Sequence, residues 1–142
     1  MSNGQPPGSA WGVFGADDQM GSLNHITPAQ VVRAGTLVRK GAVFPLNLPL
    51  DQPQPQLYGR GSPEHHLLAG SSPIVRDDFI DNFWLQASTQ WDSLRHIRHP
   101  ELGWYNGVRD VQIVAGSGGK LGMDVAARRG IAGRAAGRNP CS

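Results

Sequence analysis

Between Gln86 and His96 the chain reads Gln-Ala-Ser-Thr-Gln-Trp-Asp-Ser-Leu-Arg-His. This places two carboxamides (Gln86, Gln90), one carboxylate (Asp92) and one imidazole (His96) within eleven residues. An imidazole changes charge near neutrality, so it can accept a proton and return it during a reaction. A carboxylate four positions earlier can orient a substrate or bear a counter-charge, and the expectation is that Asp92 and His96 converge on one centre. The amides act only as hydrogen-bonding groups or weak oxygen donors. Arg95, Arg98 and His99 extend the cluster; an arginine fork there suits a carboxylate substrate, although a solvated basic turn is the ordinary outcome. Trp91 and Trp104 offer faces for an aryl group or for core packing. Asp92 could equally cap a Ser93–His96 turn, Thr89 could be a simple turn hydroxyl, and His99 could be a surface residue beside Pro100.

The elements around the cluster must hold it. Phe79 to Ser88 alternates apolar and polar positions and predicts a strand that ends in the polar turn, a rigid support beside an open site. The clearest helix signal lies earlier. Thr27 is a good N-cap, Pro28 suits the first turn, Gln30 completes a capping box, and Val31, Ala34, Leu37 and Val38 recur at helical spacing up to Gly41. Ala42 to Leu50 alternates as an edge or irregular strand, limited by Pro45 and Pro49. Residues 51–78 are rich in proline, glutamine and glycine and are expected to form a long excursion. Within them, the adjacent His65-His66 project in different directions, so they make a poor clamp. Trp11 and Phe14 are expected to pin an ordered loop that contains Asp17-Asp18. Trp104 to Gly107 reads as a turn, 116–122 as a flexible loop, and Met123 to Arg129 as a short helix stopped by Gly130.

Composition narrows the class. The 142 residues include 19 glycines and 11 prolines, and the apolar share is 39%; this pattern argues against a helix bundle. A formal charge of +2 with no dense basic face argues against nucleic acid. The single cysteine, Cys141, excludes an intrachain disulfide and a cysteine-based zinc site. The opening MSNGQPPGSAWG lacks a basic segment followed by an apolar run, and no stretch is apolar enough for a membrane span. The expectation is a soluble, cytoplasmic protein, with self-association left open.

The spacing of Thr89, Asp92 and His96 resembles the motif H-x-G-T-H-x-D-x-P-x-H of the cyclase family of metal-dependent hydrolases, which includes bacterial kynurenine formamidases and isatin hydrolases. On that motif Gln86 and Gln90 stand where the family has histidines, and Leu94 where it has proline. A branch worded Gln-Trp-Asp-x-Leu-x-His is matched more fully. Trp11-Gly12, the acidic pair leading to Gly21-x-Leu23-Asn24, the Thr27-Pro28 helix start, Tyr105 to Gly107, Leu121-Gly122 and Gly130-Ile131-Ala132-Gly133-Arg134 match it as well.

The resemblance implies an α/β fold: a partial, swivelling β/β/α-like domain with a mixed sheet and long Pro/Gly-rich loops. It covers 11–134, between a disordered tail at 1–10 and a non-family tail at 135–142. Because the family's remaining His and Glu ligands have no counterpart here, it also implies a truncated or frame-shifted product, or a fragment. It implies cleavage of a C–N amide bond in an arylformamide of the tryptophan/kynurenine type. His96 would be the proton shuttle; Asp92, Gln86 and Gln90 would hold a divalent metal (Mn, Zn or Mg); and Trp91, Arg95, His99 and Trp104 would contact substrate. Amide oxygens in place of imidazoles favour manganese or magnesium over zinc, or weak binding.

Overall fold

The computed structural model describes residues 5–70, 72–116 and 118–135. The first four residues of the 1–10 tail, and all but Ala135 of the 135–142 tail, lie outside the described residues. The chain divides into two compact units, Met1–Ala42 with Asp92–Ser142, and Val43–Trp91.

In the first unit, helix α1 spans Pro28–Gly35. Its start follows the capping logic. The Thr27 hydroxyl accepts the Gln30 amide at 3.4 Å, and the Gln30 side-chain oxygen accepts the Thr27 amide at 3.1 Å. Its end comes earlier than the sequence pattern suggests. Thr36 turns its hydroxyl back onto the Arg33 carbonyl at 2.8 Å, and Gly35-Thr36 is a weak helical pair, so the backbone leaves the helix there. Leu37 and Val38, expected on the helical face, lie beyond it and are exposed.

Helix α2 spans Met123–Arg129, where it was expected, and Gly130 breaks it with a φ of 78°. Asp124 pairs with Arg128 at 2.9 Å, one turn apart. From its last residue the Arg129 guanidinium donates to the carbonyls of Leu23 and Ile26, so satisfying groups at the end of the short 3-10 turn Gly21–His25. Just before α2, Leu121 is fully buried, the largest such side chain among the described residues.

The second unit holds a hairpin. Strand β1, Glu64–Ala69, pairs antiparallel with β2, Arg76–Asp81, in a register from Glu64 opposite Asp81 to Ala69 opposite Arg76. β1 falls inside the stretch read as an irregular excursion. The prolines there punctuate strands and do not dissolve them: Pro63 precedes β1 and Pro73 sits in the connection. Along β1 the two histidines part, as expected. His65 meets Asp78 at 3.0 Å, and His66 stacks on Phe79 with ring centres 4.6 Å apart.

Two strand expectations need correction. The Phe79–Ser88 strand stops at Asp81, because Asn82 adopts a left-handed φ of 51° and sends its amide to the Ser62 carbonyl at 3.0 Å. Ala42–Leu50 forms no strand, and Phe44 and Leu46 stand 76% and 89% exposed. Pro45 and Pro49 remove the donors that a ladder would need. The expected mixed sheet is therefore absent among the described residues; a two-stranded antiparallel sheet and two helices make a small α/β arrangement.

Candidate functional site

The Gln86–His96 segment crosses from one unit to the other, so its parts are held by different scaffolds. In the Val43–Trp91 unit, Gln86 is half-buried beside the buried Ala87, whose amide closes a turn onto the Trp84 carbonyl at 2.9 Å. Ser88 donates its hydroxyl to the Pro49 carbonyl at 2.8 Å, and the Thr89 hydroxyl accepts the Leu48 amide at 3.0 Å. Thr89 thus fastens two segments 41 residues apart. Gln90 and Trp91 are exposed. The strand expected to deliver this segment has ended five residues earlier, so a fastened turn carries Gln86.

In the other unit, Asp92 is exposed and His96 is half-buried. The His96 amide donates to the Ser93 carbonyl at 3.0 Å, which confirms a tight turn between them. Leu94, at its centre, reaches to 3.5 Å from the position a side-chain carbon would take at Gly21. Gly21 is buried with a φ of 56°, so glycine serves there both for backbone freedom and for this close approach.

The residues after Asp92 have definite work. The Arg95 guanidinium donates to the Val114 carbonyl at 3.2 Å and packs over the loop before α2. A Cβ at Gly119 would strike that same carbonyl, and one at Gly122 would strike the Asp124 carboxylate. The His99 Nδ1 accepts the amides of Glu101 and Leu102, each at 3.2 Å, inside a turn closed by the His99–Gly103 bridge. Trp104 donates its indole N–H to Asp110 at 2.6 Å, and Asp110 also meets Arg98 at 3.6 Å. Arg95 and His96 share one turn, Trp104 is linked through Asp110 to Arg98, and Gln86, Gln90 and Trp91 belong to the separate unit.

A denser polar cluster lies under this turn, and reading the sequence locally missed it. The Asp18 carboxylate accepts the Gly21 amide at 2.8 Å, the Asn24 side-chain amide at 2.7 Å and the Tyr105 hydroxyl at 2.9 Å. Burial pushes this carboxyl up, but hydrogen bonds from Asn24, Gly21, Tyr105 and Met20 outweigh it and hold the group below its ordinary value. Burial, the hydrogen bond to Asp18 and the Asp18 charge push the Tyr105 phenol up to about 12. Next to it, Asn106 sits at a φ of 55°. It accepts the Gly12 amide at 2.8 Å and donates to the carbonyls of Gly15 and Asp18. The signal was present in two pieces, an acidic pair before Gly21 and a Tyr-Asn-Gly turn, but nothing local joins residues 87 apart.

No family model and no curated protein matches the chain. Among solved structures, one described as the crystal structure of a novel cyclase superposes with a TM-score of 0.71 at 37% sequence identity. The chain is thus similar in sequence and fold to part of that cyclase. The match covers 81% of this chain and 42% of that one, so the chain spans less than half of the cyclase's length.

The donors implied for a metal are one carboxylate and two neutral amides. Among the described residues, no group of three His, Cys, Asp or Glu side chains comes together that could hold a metal ion. Asp92, Gln86 and Gln90 lack the imidazole and thiolate that zinc prefers and offer only hard oxygens, of the kind that suit manganese or magnesium. No helix among the described residues is long and apolar enough to cross a membrane.

Proposed function

We propose that this chain takes part in the hydrolysis of a C–N amide bond, with an arylformamide of the tryptophan/kynurenine type as its substrate class. The supporting observation is the 37% identity to a cyclase, combined with the Thr89, Asp92 and His96 spacing. In this reading the His96 imidazole takes a proton from the attacking water and returns it to the departing amine. Its half-burial on a turn backed by Leu94 and Gly21 limits its freedom, which favours a repeatable geometry. Asp92 supplies the negative charge of the site. Arg95 would hold a substrate carboxylate through the N–H groups that Val114 leaves open. Trp104, linked through Asp110 to Arg98, would face the aryl ring, with His99 at the rim. A divalent metal, if recruited by Asp92, would polarise the scissile carbonyl.

The test is release of formate from N-formyl aryl amides, with manganese or zinc added, by the chain and by His96→Ala. A loss of two or more orders of magnitude in kcat, of the kind typical for a missing acid–base group, is expected. Equal rates would remove His96 from the chemistry.

One observation favours a second reading, an inactive part of such an enzyme. Large apolar side chains stand open to solvent, with Val43 and Leu46 at 89% and Ile74 at 90%. Sparse burial predicts a broad, weakly cooperative melt. A single sharp calorimetric transition in dilute monomer would count against it.

A further inference from the structure

A cleft of about 270 Å³ opens beside α1 and is independent of the residues assigned to hydrolysis. Ile26, Ala34, Leu37 and Gly133 give it an apolar lining, and Arg33 and Arg134 add two guanidinium groups. Among the described residues no aspartate or glutamate lines it, and neither arginine is engaged in an ion pair. We propose that this cleft binds a small organic monocarboxylate with an apolar body.

Three features select that ligand class. Two arginines beside one cavity offer planar forks that match a carboxylate in two-point contact. The apolar lining rewards a ligand that carries hydrocarbon next to its charge, and gives a bare hydrated anion nothing to bury. Arg33 also stands in the last turn of α1, where the helix dipole is negative. That partial charge weakens the pull on any anion in proportion to its charge, so an apolar body must supply part of the affinity. The volume lies at the lower end of ligand pockets, enough for one ring or a short acyl chain.

The experiment uses benzoate as the probe, benzyl alcohol as its neutral counterpart and inorganic phosphate as the bare anion. Binding to the whole chain is followed by calorimetry and by amide NMR. Benzoate is expected to saturate one site, bind at least tenfold tighter than either control, and shift the Ile26, Ala34 and Gly133 signals. Arg33→Gln and Arg134→Gln should each weaken it severalfold, and the pair should abolish it; Ala34→Leu, which keeps a helix former while filling the cleft, should do the same. Circular dichroism of each variant confirms that α1 is retained. Equal binding of benzyl alcohol, equal binding of phosphate, or undiminished binding by the double arginine variant would each overturn the proposal. So would loss of benzoate binding in His96→Ala, because it would place the acid at the hydrolytic residues.

Discussion

The Tyr105 hydroxyl donates to the Asp18 carboxylate at 2.9 Å, and the contact ties an early loop to the turn that follows the His96 segment. Asp18 also gathers Gly21 and Asn24, and Gly21 is the glycine against which Leu94 packs. Tyr105→Phe keeps the ring and removes only the donor. A hydrogen bond to a charged group contributes about 1.5–3 kcal/mol, and partial solvent access reduces that, so the expected loss is about 1 kcal/mol in urea unfolding. A larger fall in His96-dependent activity than in stability would show that the clasp positions the turn.

The same pair sets two pH limits. Asp18 titrates below its unfolded value of about 3.9, so its contribution is present above that pH and is lost as pH falls through the folded pKa. Tyr105 moves in the opposite direction. Its contribution is full below pH 10.0 and disappears as pH rises toward about 12. In a Tyr58→Phe background, where Tyr105 is the sole tyrosine, tyrosinate absorbance should develop near pH 12. Asp18→Asn should bring that transition closer to 10.0 by removing the charge, and should flatten the acid limb of the stability curve.

Leu121 is buried completely, yet its φ is 60° and its amide donates to the Gln19 side chain at 2.8 Å. Leucine in a left-handed conformation is strained, so burial must outweigh the strain. Leu121→Ala is expected to cost about 2–5 kcal/mol, the range for truncating a buried leucine. Leu121→Gly relieves the strain but loses the same packing, and should be no more stable than the alanine variant by more than about 1 kcal/mol. Thermal denaturation of both variants checks the order.

Local signals were readable where one short segment contains its own cause. Thr27 and Gln30 satisfy each other within four residues, and Gly130 stops α2 without help from elsewhere. Thr27→Ala should accordingly cost about 1 kcal/mol, a typical loss for an N-cap, with the Pro28–Gly35 amides exchanging faster. Strands were harder to read, because pairing partners are remote. Glu64–Ala69 carries little alternation and is a strand because Arg76–Asp81 lies beside it. Phe44 to Leu50 alternates cleanly but has no donor-matched neighbour among the described residues. In the site, the residue types and the Ser93–His96 turn were legible. The Thr89 bond to Leu48, the Trp104 bond to Asp110 and the Asp18 clasp were not, since each joins groups that become neighbours only after folding.

Metal preference offers the sharpest check on Gln86 and Gln90. Both are neutral oxygen donors in the same unit, where the cyclase motif has imidazoles. Hard, uncharged oxygen binds zinc weakly and does little to separate it from manganese. The chain should therefore bind zinc no tighter than the micromolar range in competition with a chromophoric indicator, with manganese giving equal or better support of formate release. Gln86→His with Gln90→His replaces both amides by ligands that zinc favours, and should tighten zinc at least tenfold, equivalent to about 1.4 kcal/mol. Each single variant should give less than half of that free energy, because one imidazole leaves the other amide in place. Unchanged zinc affinity in the double variant would mean that the two side chains do not face one ion. They would then be left with the alternative role of hydrogen-bonding substrate, and Gln90→Ala should raise KM while leaving the metal requirement as it was.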